Sequence, residues 1–217
     1  MWSNWSPYSP CSKTCGPGTK SRSRTCNSPT PAYGGSYCLG LGDETSACNL
    51  QKCVGSVLKF PASFGVWGSA ELCPQAFDFV QGFKTQVESN QGGGDDTAMN
   101  TITLICSGGG EISSRRGPFG TWGPTRRCSD GYSQAELRIE GAQGSGDDTA
   151  TNCIRLFCIS SGAWQESNCA NWGTTISKSC PSNQKICGIR VRVEDRQYSG
   201  DDTALNDVEL TCCHGYD

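Results

Sequence analysis

Three copies of Gly-Asp-Asp-Thr-Ala, at residues 94–98, 146–150 and 200–204, put the carboxylates of Asp95, Asp96, Asp147, Asp148, Asp201 and Asp202 at equivalent points of one chain. Adjacent carboxylates beside a glycine suit two kinds of chemistry: they accept hydrogen bonds from sugar hydroxyls, or they give oxygen ligands to calcium. Calcium takes about six to eight oxygens in one place. Two Asp per loop are too few, so the sequence points to no metal. A scaffold use competes with both. Asp side chains accept backbone N–H groups in Asx turns, and Gly94, Gly146 and Gly200 supply the positive φ of a tight turn. A second set of carboxylates, Glu88, Glu140 and Glu194, stands six residues before those glycines. Two such groups about 5–9 Å apart could act on a glycosidic bond. Nothing in the sequence sets their environments apart, as an acid–base pair requires. Hairpin-end solvation, or pairing with Arg138, Arg155, Arg190 or Arg192, accounts for them. With His214 the single histidine, most Ser-His and Cys-His catalysis and His-rich zinc sites are set aside as well. The expectation is a protein that is not an enzyme and uses no cofactor.

Sugar recognition also wants an apolar platform. Trp164 lies outside the repeat, and Tyr198 stands two residues before Gly200, where the other copies have Gly92 and Gly144. Trp164, Tyr132 and Tyr198 are the aromatic candidates for a platform near the loops. Trp164 and Tyr198 join the six aspartates as candidate carbohydrate-binding residues. A separate aromatic set opens the chain. Trp2, Trp5 and Tyr8 recur at a spacing of three, and Lys20, Arg22 and Arg24 at a spacing of two. The second spacing puts all three cations on one face of a strand. Rings and cations then stack in alternate layers, each contact contributing about 0.5–2 kcal/mol. The same basic face is a candidate for sulfated glycosaminoglycan, although stacking alone accounts for its residues.

The elements that position these groups follow from the repeat. Its copies begin 52 and 54 residues apart. Val87, Ile139 and Val193 precede the three glutamates. After each motif comes an alternating segment: Ile102, Leu104, Cys106; Ile154, Leu156, Cys158; Val208, Leu210, Cys212. Period-two alternation of this kind marks a half-buried strand. Each unit is therefore strand, Gly-rich turn, strand, with one face in a common core. Trp-Gly gives a second landmark at 67–68, 122–123 and 172–173. Two units run on from the motif to the next Trp-Gly, but the third stops at Asp217. Its missing piece exists at the other end, as residues 56–68. A closed three-fold body then pairs the first strand with the last, Ser56–Phe60 beside Val208–Cys212, which removes sheet edges.

Sixteen cysteines in 217 residues read as a disulfide framework made in an oxidising compartment, hence a secreted protein. Matching positions in the repeat predict Cys73–Cys106, Cys128–Cys158 and Cys180–Cys212. Cys153 and Cys169 fall in the second unit, Cys187 and Cys213 in the third. Local pairing is simplest, although four cysteines allow three connectivities. The six cysteines of residues 1–53 staple a segment too short to bury a sufficient core. The domains are therefore 1–53 and 54–217. The formal net charge of −3 hides an asymmetry: +3 in the first domain and −6 in the second. Neither carries the basic excess of a nucleic-acid binder. No apolar run approaches the ~20 residues that cross a bilayer. Trp2 follows Met1 without a leader, so the sequence reads as that of a mature chain.

Two resemblances follow. WSNWSPYSPCSKTCGPGTKSRSRTC, with its W-x-x-W, C-S-x-T-C-G and R-x-R elements, resembles a thrombospondin type 1 repeat; the match spans residues 2–53, with Tyr8 where a third Trp is common. It implies Cys11–Cys48, Cys15–Cys53 and Cys26–Cys38, with C-mannosylation at Trp2 and O-fucosylation at Thr14. Asn4-Trp5-Ser6 is separately an N-glycosylation sequon, inside the aromatic stack. Residues 56–217, whose repeats are completed by Asn100, Asn152 and Asn206, resemble the vitelline membrane outer layer protein family. The implied fold is all-β: a small layered disulfide-rich module, then a β-prism of three four-stranded Greek-key sheets with pseudo-three-fold symmetry. Jacalin-type lectins share that architecture, but fold does not fix function. The leading expectation is a secreted glycan-binding protein, lectin-like or defensive, with extracellular glycans or glycoproteins as partners. The alternatives are a structural component of an extracellular coat or matrix, and a glycan-transferring or glycan-cleaving enzyme.

Overall fold

The computed structural model describes residues 1–48, 51–61, 65–88, 98–117, 119–140, 151–194 and 205–214. Among these every regular element is a strand. The chain divides into two compact units, Met1–Cys53 and Val54–Asp217.

In the first unit β1 (Gly18–Ser23) and β2 (Asp43–Cys48) pair antiparallel, from Gly18 opposite Cys48 to Ser23 opposite Asp43. Residues 1–12 lie along β1 without forming a regular strand. Ser3, Ser6, Ser9 and Ser12 donate their N–H groups to the carbonyls of Thr25, Ser23, Ser21 and Thr19 at 2.7–2.9 Å. Their hydroxyl oxygens accept the N–H groups of the same four residues at 2.9–3.0 Å. Three residues on one side thus face two on the other. The serine hydroxyl supplies the acceptor that an in-register carbonyl would otherwise provide. Bridges Cys11–Cys48, Cys15–Cys53 and Cys26–Cys38 close the unit.

The second unit opens with β3 (Val54–Lys59), β4 (Val66–Trp67) and β5 (Glu71–Leu72). Its first hairpin is β6 (Val80–Val87) with β7 (Met99–Cys106), followed by β8 (Glu111–Ile112), β9 (Thr121–Trp122) and β10 (Arg126–Arg127). The second is β11 (Tyr132–Ile139) with β12 (Thr151–Cys158), followed by β13 (Ala163–Glu166) and β14 (Thr174–Ser179). The third is β15 (Gln184–Val193) with β16 (Leu205–His214). Each hairpin is flanked on both sides: β8 and β9/β10 in the first sheet, β13 and β14 in the second, β3 and β4/β5 in the third. The third sheet is completed from the start of the unit, with Lys59 opposite Glu209, Leu58 opposite Leu210 and Val57 opposite Thr211. The result is a three-sheet β-prism.

Alternation along the hairpins sends Phe83, Leu104, Leu137, Ile154, Ile189 and Leu210 into a common core, all fully buried. Burial of such a side chain contributes about 1.5–3 kcal/mol. Cys73–Cys106, Cys128–Cys158 and Cys180–Cys212 tie the hairpin ends opposite the Gly-Asp-Asp-Thr-Ala side. Cys153–Cys169 and Cys187–Cys213 are local.

The Trp-Gly landmark needs correcting in the second unit. Gly65, Gly120 and Gly173 have φ of 89°, 90° and 103°. A Cβ there would lie 2.7, 2.4 and 2.8 Å from the backbone of Val193, Val87 and Ile139 respectively. These three glycines are the equivalent positions, so Trp172-Gly173 corresponds to Phe64-Gly65 and Phe119-Gly120. Trp67 and Trp122 lie opposite Arg192 and Gln86, where the second sheet has Thr175 opposite Arg138. Matching by identical letters slips by three residues there; close backbone approach with positive φ is what the fold repeats.

The Asn that completes each motif also has a scaffold task. Asn100, Asn152 and Asn206 are buried. Asn100 Oδ1 accepts the Phe119 N–H at 3.3 Å, and Asn152 Nδ2 donates to the Trp172 carbonyl at 3.1 Å. Their carbonyls accept the N–H groups of Gly117 and Ala170, both at 2.9 Å. In the first two copies the motif therefore clamps the segment that crosses to the next outer strand, while the Asn206 carbonyl accepts the Thr151 hydroxyl at 3.2 Å.

Candidate functional site

The three hairpins have their last described pairs at Val87–Met99, Ile139–Thr151 and Val193–Leu205. Asp95, Asp96, Asp147, Asp148, Tyr198, Asp201 and Asp202, with Gly94, Gly146 and Gly200, fall between those pairs and lie outside the described residues. Their bases are described. β7, β12 and β16 pack against one another. Met99, Thr151 and Leu205 are buried there, and Thr151 Oγ1 donates to the Asn206 carbonyl at 3.2 Å. Ala98 takes a φ of 46°, and its carbonyl accepts the Glu88 N–H at 2.7 Å. The described ends of the three hairpins thus lie together at one end of the prism.

Two of the aromatic candidates belong to the other end. Tyr132 is fully buried. Its hydroxyl donates to Gln165 Oε1 at 2.8 Å and its ring meets Phe83 edge-on at 5.6 Å. Burial pushes its phenol well above the usual range. It is a packing residue, not an exposed platform. Trp164 is half-buried, opposite Phe157 on β12, with ring centroids 5.4 Å apart. Thr151 and Phe157 are six residues apart on one strand, about 20 Å at the usual rise. Trp164 therefore shares no platform with the bases of the acidic segments.

The outer faces of the sheets carry cross-strand charge rows. Lys84 pairs with Glu111 at 2.9 Å in the first sheet. In the second, Arg155 reaches Glu136 at 3.1 Å and Glu166 at 3.6 Å. In the third, Glu209 lies between Lys59 at 3.5 Å and Arg190 at 3.7 Å. Arg155 and Arg190, expected beside the loop-end glutamates, are held in these rows. Trp67 packs beneath Arg190 and Arg192, at 4.8 and 5.8 Å, and Trp122 beneath Lys84 at 5.2 Å. Trp67 is half-buried under its two cations, while Trp122 stays exposed beside Lys84.

Asp207 is a buried acid that sequence reasoning missed. It stands opposite Arg192, where the first sheet has Thr101 opposite Gln86 and the second has Cys153 opposite Arg138. Burial raises its carboxyl to about 6, against the pull of the Val208 N–H that donates to it at 2.7 Å. The substitution at one repeat position was visible in the sequence, but its burial was not.

The first unit shows the alternating stack. Lys20 lies 4.6 Å from the Tyr8 ring, Arg22 lies between Tyr8 (4.7 Å) and Trp5 (4.8 Å), and Arg24 between Trp5 (4.4 Å) and Trp2 (4.5 Å). Arg22 Nε also donates to Glu44 at 2.6 Å, which holds the Glu44 carboxyl below its ordinary value. Arg24 donates to the Leu41 carbonyl at 3.1 Å, and Trp2 Nε1 to that of Leu39 at 2.9 Å. A sulfated ligand would have to share these cations with the stack. Trp2 is half-buried, while Thr14 and Asn4 are exposed, so the sequon asparagine lies on the outside of the stack.

Cys153, Glu166 and Cys169 bring metal-type donor atoms within 4.8 Å of one another. The two sulfurs are bonded to each other, which leaves a single carboxylate and no ligand set.

Comparison with known proteins treats the two units separately. The family model for Vitelline membrane outer layer protein I matches residues 57–215, and that for the thrombospondin type 1 domain matches residues 3–53. The Homo sapiens vitelline membrane outer layer protein 1 homolog is 38% identical over 161 residues, covering 69% of this chain and 78% of its own. Homo sapiens semaphorin-5A is 55% identical over 53 residues, which is 24% of this chain and 5% of its own. Among solved structures, a prostate-specific WGA16 glycoprotein lectin superposes with a TM-score of 0.53 at 10% identity, over 74% of this chain and 100% of that one. At that identity the likeness is one of fold.

Proposed function

The chain belongs to the vitelline membrane outer layer protein I family, and from that premise we propose that it is a secreted, non-enzymatic glycan-binding protein. The observation that carries the reading is the three-sheet prism, a fold shared with a glycoprotein lectin, whose three hairpins end together on the side where the sequence repeats its paired aspartates. Asp95, Asp96, Asp147, Asp148, Asp201 and Asp202 act as acceptors for sugar hydroxyls, with Tyr198 as the local ring. Three weak sites on one body gain avidity toward a branched or repeated glycan. Binding needs no metal and no histidine. A second reading, as a component of an extracellular coat, is favoured by the name of the human relative, an outer-layer protein. In that case the first unit would be the docking element.

A glycan array probed with the full chain tests the proposal. Metal-independent binding is expected, weakened in Asp202→Asn and Tyr198→Ala at unchanged melting temperature. Binding abolished by EDTA would overturn the metal-free reading, and no saccharide binding at all would favour the coat. Incubation with chitin-type oligosaccharides should give no turnover. Turnover that Glu140→Gln removes would replace the proposal with an enzyme.

A further inference from the structure

A cavity of about 430 Å³ opens at the disulfide-tied end of the prism. Its size falls within the range of small-ligand sites, about 300–1,000 Å³. Ser133, Gln134, Ile159, Ser179, Ser182 and Asn183 are among its lining residues. The hydroxyls of the three serines and the side-chain amides of Gln134 and Asn183 make no hydrogen bond with other described residues. Five polar residues with free hydrogen-bonding capacity therefore border one hollow, Ser133 and Gln134 half-buried and Ser179, Ser182 and Asn183 exposed at its rim.

Its walls are fixed. Ile159 follows Cys158, bonded to Cys128, and Pro181 follows Cys180, bonded to Cys212. The 181–184 turn in its lining is closed by the Gln184 N–H donating to the Pro181 carbonyl at 3.1 Å, and the Cys180 N–H donating to the Ser133 carbonyl at 2.8 Å holds the preceding segment beside Ser133. Asn183 holds a φ of 61° in that turn, a conformation Asn tolerates better than most residues. A preformed site loses little entropy on binding.

The lining also says which ligand chemistry fits. It contains no carboxylate, and its one cation, Lys185, has its ammonium 4.5 Å from the Phe79 ring. Gln134 lies in register with Ser179 on one side and Phe157 on the other, and Phe157 with Trp164. One row across the second sheet thus runs from two aromatic rings to an amide and a hydroxyl. Neutral pyranoses offer both an apolar face and a hydroxyl edge to such a row.

We propose that this cavity is a second saccharide site, at the end of the prism away from the Gly-Asp-Asp-Thr-Ala side of the hairpins, taking a neutral sugar residue through Gln134, Ser179 and Asn183 against the Ile159 side chain, with Phe157 on the next strand of the same row. The proposal rests on the glycan-binding reading above and extends it: sites at both ends let one molecule join two glycans.

The test titrates the full chain with mannose, galactose and N-acetylglucosamine oligomers while amide resonances are followed by NMR. The amides of Ser182, Asn183 and Gln184 are expected to shift with one of these sugars. The paired variant Gln134→Ala/Asn183→Gly should lose those shifts and weaken that binding at least tenfold. Glycine keeps the positive φ of the turn, and a melting curve checks the fold. Should the variant unfold, the wild-type shifts alone decide. If a saccharide binds but only other amides respond, or the folded variant binds equally well, the second site is wrong while the glycan-binding reading stands. If no saccharide binds, both fall.

Discussion

In the first unit three rings and three cations lie stacked along one face, and Cys26 is the one apolar side chain buried among the described residues. In the prism the apolar side chains point inward from three sheets and the charges lie outside in rows. Both units are disulfide-rich, but the bridges do different work. Residues 1–53 have no core to fall back on, so their cystines and ring–cation contacts supply most of the order. The prism would bury its core without its bridges. One arrangement depends on particular contacts, the other on volume, and the two should fail under different insults.

Reduction should separate them most. A native bridge in a small domain typically contributes about 2–5 kcal/mol. With dithiothreitol at 25 °C the first unit should unfold outright while the prism keeps its strand signal in circular dichroism. A single transition for both would remove the contrast. Next in size is a truncation. Removing residues 1–60 deletes β3 with the buried Leu58 and Phe60, whereas removing 1–53 spares them. At about 1.5–3 kcal/mol per side chain, the longer cut should cost some 3–6 kcal/mol more, read by thermal unfolding.

Acid should act on the two units in opposite directions. The Asp207 carboxyl, raised to about 6 in the folded prism, ionises near 3.9 when unfolded. Below about pH 4 both forms are protonated. Between about pH 4 and 6 only the folded form resists ionisation, so up to ~3 kcal/mol of stability is lost across that window, and the loss levels off above 6. Asp207→Asn should flatten that slope and raise the melting temperature at pH 7. Glu44 is lowered by its bond from Arg22, so its contribution is present at neutral pH and is lost as pH falls through its folded value. A prism whose stability rises with pH between 4 and 6 would contradict the Asp207 assignment. The smallest expected effect is Arg22→Lys. An ammonium cannot stack between two rings while donating to Glu44 as the guanidinium does, and a loss of about 1 kcal/mol is expected in the melting of the first unit.

Much of this architecture was legible in the sequence because it repeats. The interval between pentapeptides marked the hairpins, and the truncated third copy pointed to β3 pairing with β16. What stayed hidden involves residues whose meaning depends on neighbours brought together by folding. Trp172 looked like Trp67 and Trp122 by letter but occupies the place of a phenylalanine. Tyr132 looked like a platform near the loops and is packed against Phe83 at the far end. The serines at every third position were visible from the start, yet their role needed the partner strand. The charge rows needed the sheet registers, and the polar cavity needed the turn at 181–184. Of the candidate carbohydrate residues, Trp164 alone lies among the described ones, in the same row as the cavity's Gln134 but two strands away from it.

The pairing of β3 with β16 has a mechanical consequence. Val54 lies opposite Cys213, so the two ends of the prism leave it side by side. A pull applied through them loads the ladder one bond at a time from that corner, like a zipper, at low force. The opening cannot run far. Cys212 and Cys213 fasten β16 to Cys180 and Cys187, and Cys73 is fastened to Cys106. Only the nineteen residues from Val54 to Leu72 can pay out, about 65 Å of chain at ~3.4 Å each, before the cystines stop it. Under such a load the molecule would yield by that fixed length and then hold, with the rest of the prism intact.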